Sequence, residues 1–381
     1  MTRHLLVTND FPPKVGGIQN YLWDLWQRLD PASFVVLTAN SDAGAVAFDE
    51  DQAARGIRIE RVPESILFFP TPGARNAVLR AVEEHDIDFV LFDPVLPLGV
   101  LGPRLGVPYG VILHGAEVAV PGRLLGTRAA LARVLRGARL VVSAGSYPAQ
   151  EARRAVPDLS ATVVEIPPGV DVSAIAPFKA AERRAARSRL GLPERGPLVV
   201  SVSRLVPRKG MDVLIEAAAR LAPSYPDLVV AIAGDGREHA HLHRLAAGSP
   251  GTVRLLGRVS DEDRAALLGA ADVFVMACRN RWLGLEQEGF GIVFLEAAAA
   301  GVPQIAGDSG GAADAVLDGV TGLVVPTPDD PGAVAEALRT LLADQALRRR
   351  MGRAARKRVE ESFDNDVLAS RLADALAGVA I

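Results

Sequence analysis

Short runs rich in valine, leucine and isoleucine recur along the chain, separated by amphipathic stretches of about 10 to 18 residues. This alternation predicts parallel β-sheets covered by helices. The first half offers the strand candidates HLLVT, SFVVLTA, IRIERV, DFVLF, YGVIL, RLVVSA and TVVEI. The second half offers PLVVSVS, LVVAIAG, TVRLLG, DVFVMA, VPQIAG and GLVVP. Several are apolar without interruption, as strands buried on both faces are. The pattern breaks at IPPGVDVSAIAPF, residues 166–178, a proline- and glycine-rich stretch without periodicity. The chain therefore reads as α/β, with one Rossmann-like domain over 1–167, a second over 168–362 and a final amphipathic helix over 363–381. No solenoid repeat and no low-complexity tract is present in the sequence.

The most apolar window, residues 89–113, carries Asp93, Arg104 and prolines at 94, 97, 103 and 108. It reads as strand, short helix and strand, not as a lipid-spanning helix. Hydrophobic residues at 49% and charged residues at 23% suit a packed globular chain. The net charge of −3 gives no global attraction to nucleic acid, which is not expected as a partner. One cysteine, Cys278, excludes an intramolecular disulfide and suits a reducing compartment. The N-terminal MTRHLLVTNDFPP has too short an apolar core for a secretory signal, so the expected location is cytoplasmic.

Open α/β sheets bind ligands beyond the carboxyl ends of their strands, so the residues following each strand matter most. After LLVT comes NDFPPKVGGIQNYLWDL, where Gly16 and Gly17 precede an amphipathic helix. Adjacent glycines there let amides approach an anion, although a tight turn needed only for packing has the same pattern. After YGVIL stands His114-Gly115, able to donate to a ligand hydroxyl, to move a proton, or to serve structure alone. After PLVVSVS, Arg204 and Lys209 lie five apart on a loop opening a helix and would suit a diphosphate; a solvated basic loop is the plain alternative. After LVVAIAG, Gly234 and Gly236 lack a third glycine, since His239 stands in its place, which disfavours a dehydrogenase. The loop after TVRLLG, with Val259, can face a base edge through its backbone.

After DVFVMA comes EQEGFGIVFLEAAAAGVP, residues 286–303, with Glu288 and Glu296 eight apart. Gly301 fits a helix C′ position and Pro303 begins a strand, which puts the helix start near Phe290 or Gly291. Glu288 then lies in a loop and Glu296 inside the helix. Two helical carboxylates at this spacing would stand about 12 Å apart along the axis, against about 5 to 9.5 Å for a glycosidase pair. Two separate ligand contacts fit better than one acid–base pair, with the helix start aimed at an anion.

Taken in order, the GG loop, His114-Gly115, SRLVPRKG, AGDG, the E-x7-E of EGFGIVFLE and TGLVV resemble the retaining GT-B glycosyltransferases of family 4. The segments LLVTNDFPPKVGGIQNYL, SRLVPRKGMD and EGFGIVFLEAAAAGVPQIAGDSGGA look like those of actinobacterial GDP-mannose-dependent phosphatidylinositol monomannoside mannosyltransferases. The resemblance implies a GT-B fold of two Rossmann-like domains facing across a cleft, with the last helix crossing back to the first. It implies transfer of mannose from GDP-mannose to a phosphatidylinositol mannoside acceptor, with an α-1,6 linkage. By the same resemblance, the Gly16 and Gly17 backbone would contact the donor diphosphate and Arg204 with Lys209 would hold its phosphates. Glu288 would bind hydroxyls of the transferred sugar and Glu296 those of the ribose. His114 would sit against the sugar, near its C6 hydroxyl, with its backbone close to the anomeric carbon. Gly289, Phe290, Gly291 and Ile292 would line the helix start, with Gly234 and Val259 also on the donor. Asp10 and Gln19 are acceptor candidates. One departure is Ala116 after His-Gly, with Glu117 next, which puts any acidic role there in doubt.

Arg204 and Lys209 would balance the diphosphate without a metal or other cofactor. The DxD-like strings 86–88 and 261–263 read as structural, one leading into a strand and one opening a helix. Two basic-apolar stretches, 66–80 and 121–139, suit a peripheral contact with an anionic membrane at the inner face of the plasma membrane, or a solvated helix face over a core. Competing readings are a family 4 enzyme with a UDP-sugar or a soluble acceptor, a non-hydrolysing sugar-nucleotide epimerase, and a bilobed sugar-binding protein.

Overall fold

The computed structural model describes residues 3–40, 44–63, 67–248, 252–282 and 286–379. The chain divides into two compact units, Met1–Gly169 with Asn365–Ile381, and Val170–Asp364. The first holds strands β1 His4–Thr8, β2 Phe34–Ala39, β3 Ile59–Val62, β4 Phe89–Asp93, β5 Tyr109–Leu113, β6 Leu140–Ser143 and β7 Thr162–Glu165. They form one sheet in the order β3-β2-β1-β4-β5-β6-β7, and every neighbouring pair is parallel. The second unit holds β8 Leu198–Val202, β9 Val229–Ala233, β10 Val253–Gly257, β11 Val273–Met276, β12 Gln304–Gly307 and β13 Gly322–Val325. Its sheet runs β10-β9-β8-β11-β12-β13, again parallel throughout. Each apolar run singled out in the sequence is one of these strands. The uninterrupted ones, such as β1, β5 and β8, are buried at every position because helices cover both faces.

The strand orders place the chemistry. In each sheet the connections leave in opposite directions from two adjacent central strands, β1 and β4 in the first, β8 and β11 in the second. A crevice opens at the carboxyl ends of such a pair.

Helix Asn365–Gly378 packs on helix Gly17–Trp26 within the first unit, through Leu368, Leu372 and Leu376, spaced at four residues, against Leu22, Leu25 and Trp26. In the second unit the short helix Ile292–Ala299 is buried with Phe294 edge-on to Phe274 of β11. It starts at Ile292, just past the expected Phe290 or Gly291, because Gly291 takes the left-handed conformation and serves as its cap. Gly301, at φ 71°, ends it as expected. The stretch 121–139 is not one helix: Ala116–Arg123 and Leu125–Gly137 meet at Leu124, whose backbone is extended. Ile66, from the other basic-apolar stretch, lies outside the described residues. Among the described residues no helix is long and apolar enough to cross a membrane.

Candidate functional site

In the second unit the residues after β8 and β11 form one ionic cluster. The chain leaves β8 through Arg204, makes a 3-10 turn at Pro207–Lys209 and enters helix Met211–Leu221 at Gly210, which has φ 67°. A Cβ on Gly210 would stand 2.1 Å from the Ala277 carbonyl oxygen, so only glycine lets this turn lie against the exit of β11. Arg279 staples the two together: its amide donates to the Arg208 carbonyl at 2.9 Å and its Nε to Pro207 O at 2.8 Å. Its guanidinium also reaches Asp212 at 2.8 Å and Asp329 at 3.2 Å.

This docking brings Lys209 Nζ to 2.6 Å from Glu288 Oε2, with the two side chains only 9% and 7% exposed. Glu288 is held through its backbone as well. Its amide donates to Ser309 Oγ at 3.2 Å, whose hydroxyl donates to Asn280 Oδ1 at 2.8 Å, and its carbonyl accepts from the Gly311 amide at 3.0 Å. A Cβ on Gly310, at φ 51°, would lie 2.1 Å from the Glu288 carbonyl oxygen. The buried Cys278 thiol faces Glu288 Oε2 at 3.6 Å, and burial first, then that carboxylate, pushes its pKa far up. Cys278 is thus an inert thiol.

The sugar-facing and ribose-facing glutamates of the expected scheme occupy different environments. Glu296, inside the helix, is buried with Oε1 at 3.2 Å from Arg264 Nη2. Burial holds its carboxyl above the usual range, Arg264 pulls it back, and Asp261 adds to the rise. Between the two glutamates, Gly289 is exposed, and a Cβ placed on it would meet nothing within 4 Å among the described residues, while Phe290 is buried against Phe363. The amides at such a helix start have no intrahelical acceptor. Gly234 and Gly236 have a steric cause: a Cβ would stand 1.8 Å from Ser203 O and 2.4 Å from Leu205 O respectively. They let β9's exit loop pack under the segment carrying Arg204. Arg204 is exposed and, among the described residues, has no side-chain ion pair. Val259, half-buried, precedes Ser260, the cap of helix Asp261–Ala270.

The first unit gathers its own set at the ends of β1, β4 and β5. Asp93, fully buried, accepts from Thr8 Oγ1 at 2.7 Å and pairs with His114 Nε2 at 2.5 Å. Tyr21 packs edge-on to the imidazole and donates its hydroxyl to Ile166 O. Burial pulls the His114 pKa down, but the Asp93 charge and hydrogen bond, aided by Glu117 and Asp10, outweigh it and hold it above 6.5. Glu117 accepts from the amides of His114 and Gly115, a fixed structural task. Asp10 accepts from Gln19 Nε2 at 2.6 Å, and burial, then Asp93, raise its pKa. Gly16 is the extended cap of helix Gly17–Trp26 and lies under the Gln19 side chain, whereas among the described residues a Cβ on Gly17 would meet nothing within 4 Å.

The DxD-like strings have structural work. Asp88 accepts from the Arg3 amide at 2.9 Å, and Asp261–Asp263 open a helix, Asp263 pairing with Arg189 at 3.2 Å. Among the described residues Glu60, Glu84 and His85 are close enough to share an ion. There the imidazole meets Arg58 on one nitrogen and Glu60 on the other, so hydrogen bonds occupy both. Sequence reasoning gives no site role to Arg208, Glu286, Asn280, Ser309 or Asp93. The Ser309-Gly310-Gly311 turn follows β12 just as Gly16-Gly17 follows β1, and that shared placement is the signal for it.

Comparison with known proteins adds to this geometry. The family model described as glycosyl transferases group 1 matches residues 182–358. The chain is 40% identical over 380 residues to the GDP-mannose-dependent alpha-(1-6)-phosphatidylinositol monomannoside mannosyltransferase of Mycolicibacterium smegmatis, covering 98% of each. It is 37% identical to the corresponding enzyme for the monoacylated acceptor from Corynebacterium glutamicum, covering 98% of this chain and 97% of that one. Among solved structures, Anabaena Alr3699/HepE in complex with UDP superposes with a TM-score of 0.78 at 22% identity, over 100% of both chains. Sucrose-phosphate synthase from Thermosynechococcus elongatus gives 0.76 at 24%, over 100% of this chain and 99% of that one. At such identities these likenesses speak to the fold, which is GT-B.

Proposed function

The chain belongs to the group 1 glycosyltransferases, and from that premise we propose that it moves mannose from GDP-mannose to a phosphatidylinositol mannoside, forming an α-1,6 linkage with retention. The observation that carries this reading is the end-to-end likeness, 98% of both chains at 40% identity, to an enzyme named for that donor and acceptor.

In this reading the second unit holds the donor. Lys209 and Arg204 take the phosphates, the amides from Gly289 to Ile292 add donors, Glu288 binds hydroxyls of the sugar and Glu296 those of the ribose. Gly234 and Val259 flank the nucleoside. The buried Lys209–Glu288 pair supports the assignment, because it fixes a cation and a sugar-binding carboxylate before any substrate arrives. The open space at Gly289 and Gly17 supports it too, since nothing among the described residues accounts for the missing side chain there. Gly16 and Gly17 serve the diphosphate, His114 the sugar, and Asp10 with Gln19 the acceptor.

The bond between the anomeric carbon and the diphosphate oxygen breaks as the acceptor oxygen attacks from the same face. The departing phosphate oxygen takes the acceptor's proton, and GDP leaves. Fixed cations and amides stabilise the charge growing on that diphosphate, so no metal is required. Exposed Phe69, Val120 and Leu124, near the arginines of 66–80 and 121–139, are assigned to a peripheral contact with an anionic membrane. Several of those arginines are already engaged, Arg123 with Glu151 and Arg136 with Asp158, so the apolar side chains carry more of this contact than charge does. The test is transfer of radiolabelled mannose from GDP-mannose to phosphatidylinositol monomannoside in vesicles, run beside UDP-glucose and UDP-galactose. Product from a UDP-sugar alone would overturn the donor assignment.

A further inference from the structure

Four cations surround two carboxylates at the head of the donor half, and the expected scheme uses only one of the four. Glu286 Oε2 meets Arg281 Nη1 at 2.9 Å, while its Oε1 lies 3.5 Å from Arg208 Nη1 and 4.0 Å from Arg237 Nη2. The backbones of Arg281 and Glu286 bond each other in both directions, at 2.9 and 3.2 Å, so this carboxylate is presented from a fixed backbone. Arg208 itself is fixed at both ends. Its carbonyl accepts from Arg279, and its guanidinium rests on Glu286, with the side chain 18% exposed. Yet Arg208 Nε is buried and has no hydrogen-bond partner among the described residues; Glu288 Oε2 lies 3.9 Å from it, beyond hydrogen-bond distance. A charged donor buried without an acceptor is costly, and proteins rarely keep one unless something else completes it.

We infer that Arg208 is a further phosphate ligand of the donor site, its Nε completed by a diphosphate oxygen, and that Glu286 is the positioning residue that holds it ready. This rests on the donor reading above and adds a contact to it. The arrangement fits a dianionic group, because Arg208 adjoins Lys209, whose own charge is largely committed to Glu288 at 2.6 Å. Glu286 aims the guanidinium through Nη1 and leaves Nε for the ligand. A planar fork suits that division of labour, which a lysine could not perform.

The experiment is calorimetric titration of the full chain with guanosine, GMP, GDP and the uridine series, followed by the variants with whichever series binds. Arg208→Gln weakens the nucleoside diphosphate about 10- to 100-fold, the loss of one charge-assisted hydrogen bond, and leaves the nucleoside unchanged. Arg208→Lys restores at most part of it. Glu286→Gln weakens the diphosphate by a smaller factor, and the double variant shows less than the product of the two effects, because both remove one contact. Diphosphate affinity unchanged in Arg208→Gln, or lost in equal measure for the nucleoside, overturns the assignment of Arg208. Tighter diphosphate binding by Glu286→Gln overturns the positioning role and makes Glu286 a competitor of the ligand. Wild-type binding of the uridine series alone overturns the GDP reading and leaves the Arg208 inference to stand or fall on UDP.

Discussion

Lys209→Ala is the perturbation that separates a structural ion pair from a ligand-binding one. At 2.6 Å the attraction between Lys209 and Glu288 is about 6 kcal/mol at an effective dielectric constant near 20. Taking both charges out of water costs several kcal/mol per ion, so the intact pair contributes little net stability. Removing one partner is different, because it strands the other: about 3 to 5 kcal/mol for a buried pair. Glu288 cannot escape by moving, since Ser309, Gly311 and the crowding at Gly310 fix its backbone. Arg208, 3.9 Å away, offsets part of the loss. With about 2 to 4 °C per kcal/mol for a unit of this size, the second unit should melt about 6 to 20 °C lower. Lys209→Ala/Glu288→Gln should recover much of that by removing the stranded charge, without recovering GDP affinity. Calorimetric melting with and without GDP reads both quantities. A single variant that melts within about 2 °C of wild type and still binds GDP as tightly would refute the argument.

Three further outcomes follow from the same geometry. Glu296→Gln removes a carboxyl whose pKa burial raises above 4.5. A raised carboxyl pKa costs stability above that pKa and the cost fades on acidification, so the variant should melt above wild type at pH 8, with the gap closing toward pH 5, while the donor KM rises about tenfold; a variant less stable at pH 8 contradicts this. His114 has a pKa held above 6.5 by Asp93, so its stabilising term is complete below pH 6.5 and is lost as pH rises through the raised value; melting curves from pH 6 to 9 should show this decline in wild type, and Asp93→Asn should flatten it at a cost of about 3 to 5 kcal/mol. Gly310→Ala, at φ 51° and 2.1 Å from Glu288 O, should lower kcat/KM at least tenfold by about 1 to 2 kcal/mol of backbone strain and a shifted Glu288, and wild-type kinetics would refute it.

The fold is legible in the sequence because both sheets are parallel and covered, so their strands stand out as apolar runs against amphipathic helices. The helix stops at Gly301 and Pro303 are legible for a similar reason, since backbone geometry at those points demands particular residues. The ionic cluster is not. Arg208 and Glu286 look like any surface charges in a linear reading, and they become informative only when the Gly210 turn and the exit of β11 are seen to interlock through Arg279. Asp93 is hidden differently: along the chain it is only a charge that a membrane span would not tolerate, whereas its place at the end of β4, opposite Thr8 of β1, makes it the anchor of His114.

The two glutamates show how far each kind of reasoning reaches. Spacing and the helix stop assign Glu288 to a loop and Glu296 to a helix, but spacing cannot say what each carboxyl is paired with. The environments do. Glu288 has a lysine at hydrogen-bond distance and a backbone locked by the turn after β12, so its ion pair and its position are both in place before a ligand binds. Glu296 has only the partly exposed Arg264 against nearly complete burial, and its raised pKa reflects that deficit. A carboxyl in deficit gains most from new donors. Ribose hydroxyls would supply two, so ligand binding should lower the raised Glu296 pKa and release protons as the pH passes through that raised range, with the release fading on either side of it. Guanosine brings the ribose without a titrating phosphate, so its binding isolates the effect. The coupling is measurable as proton release on guanosine binding in buffers of different ionisation enthalpy, and it should vanish in Glu296→Gln. Proton release that survives the substitution would move the ribose contact away from Glu296.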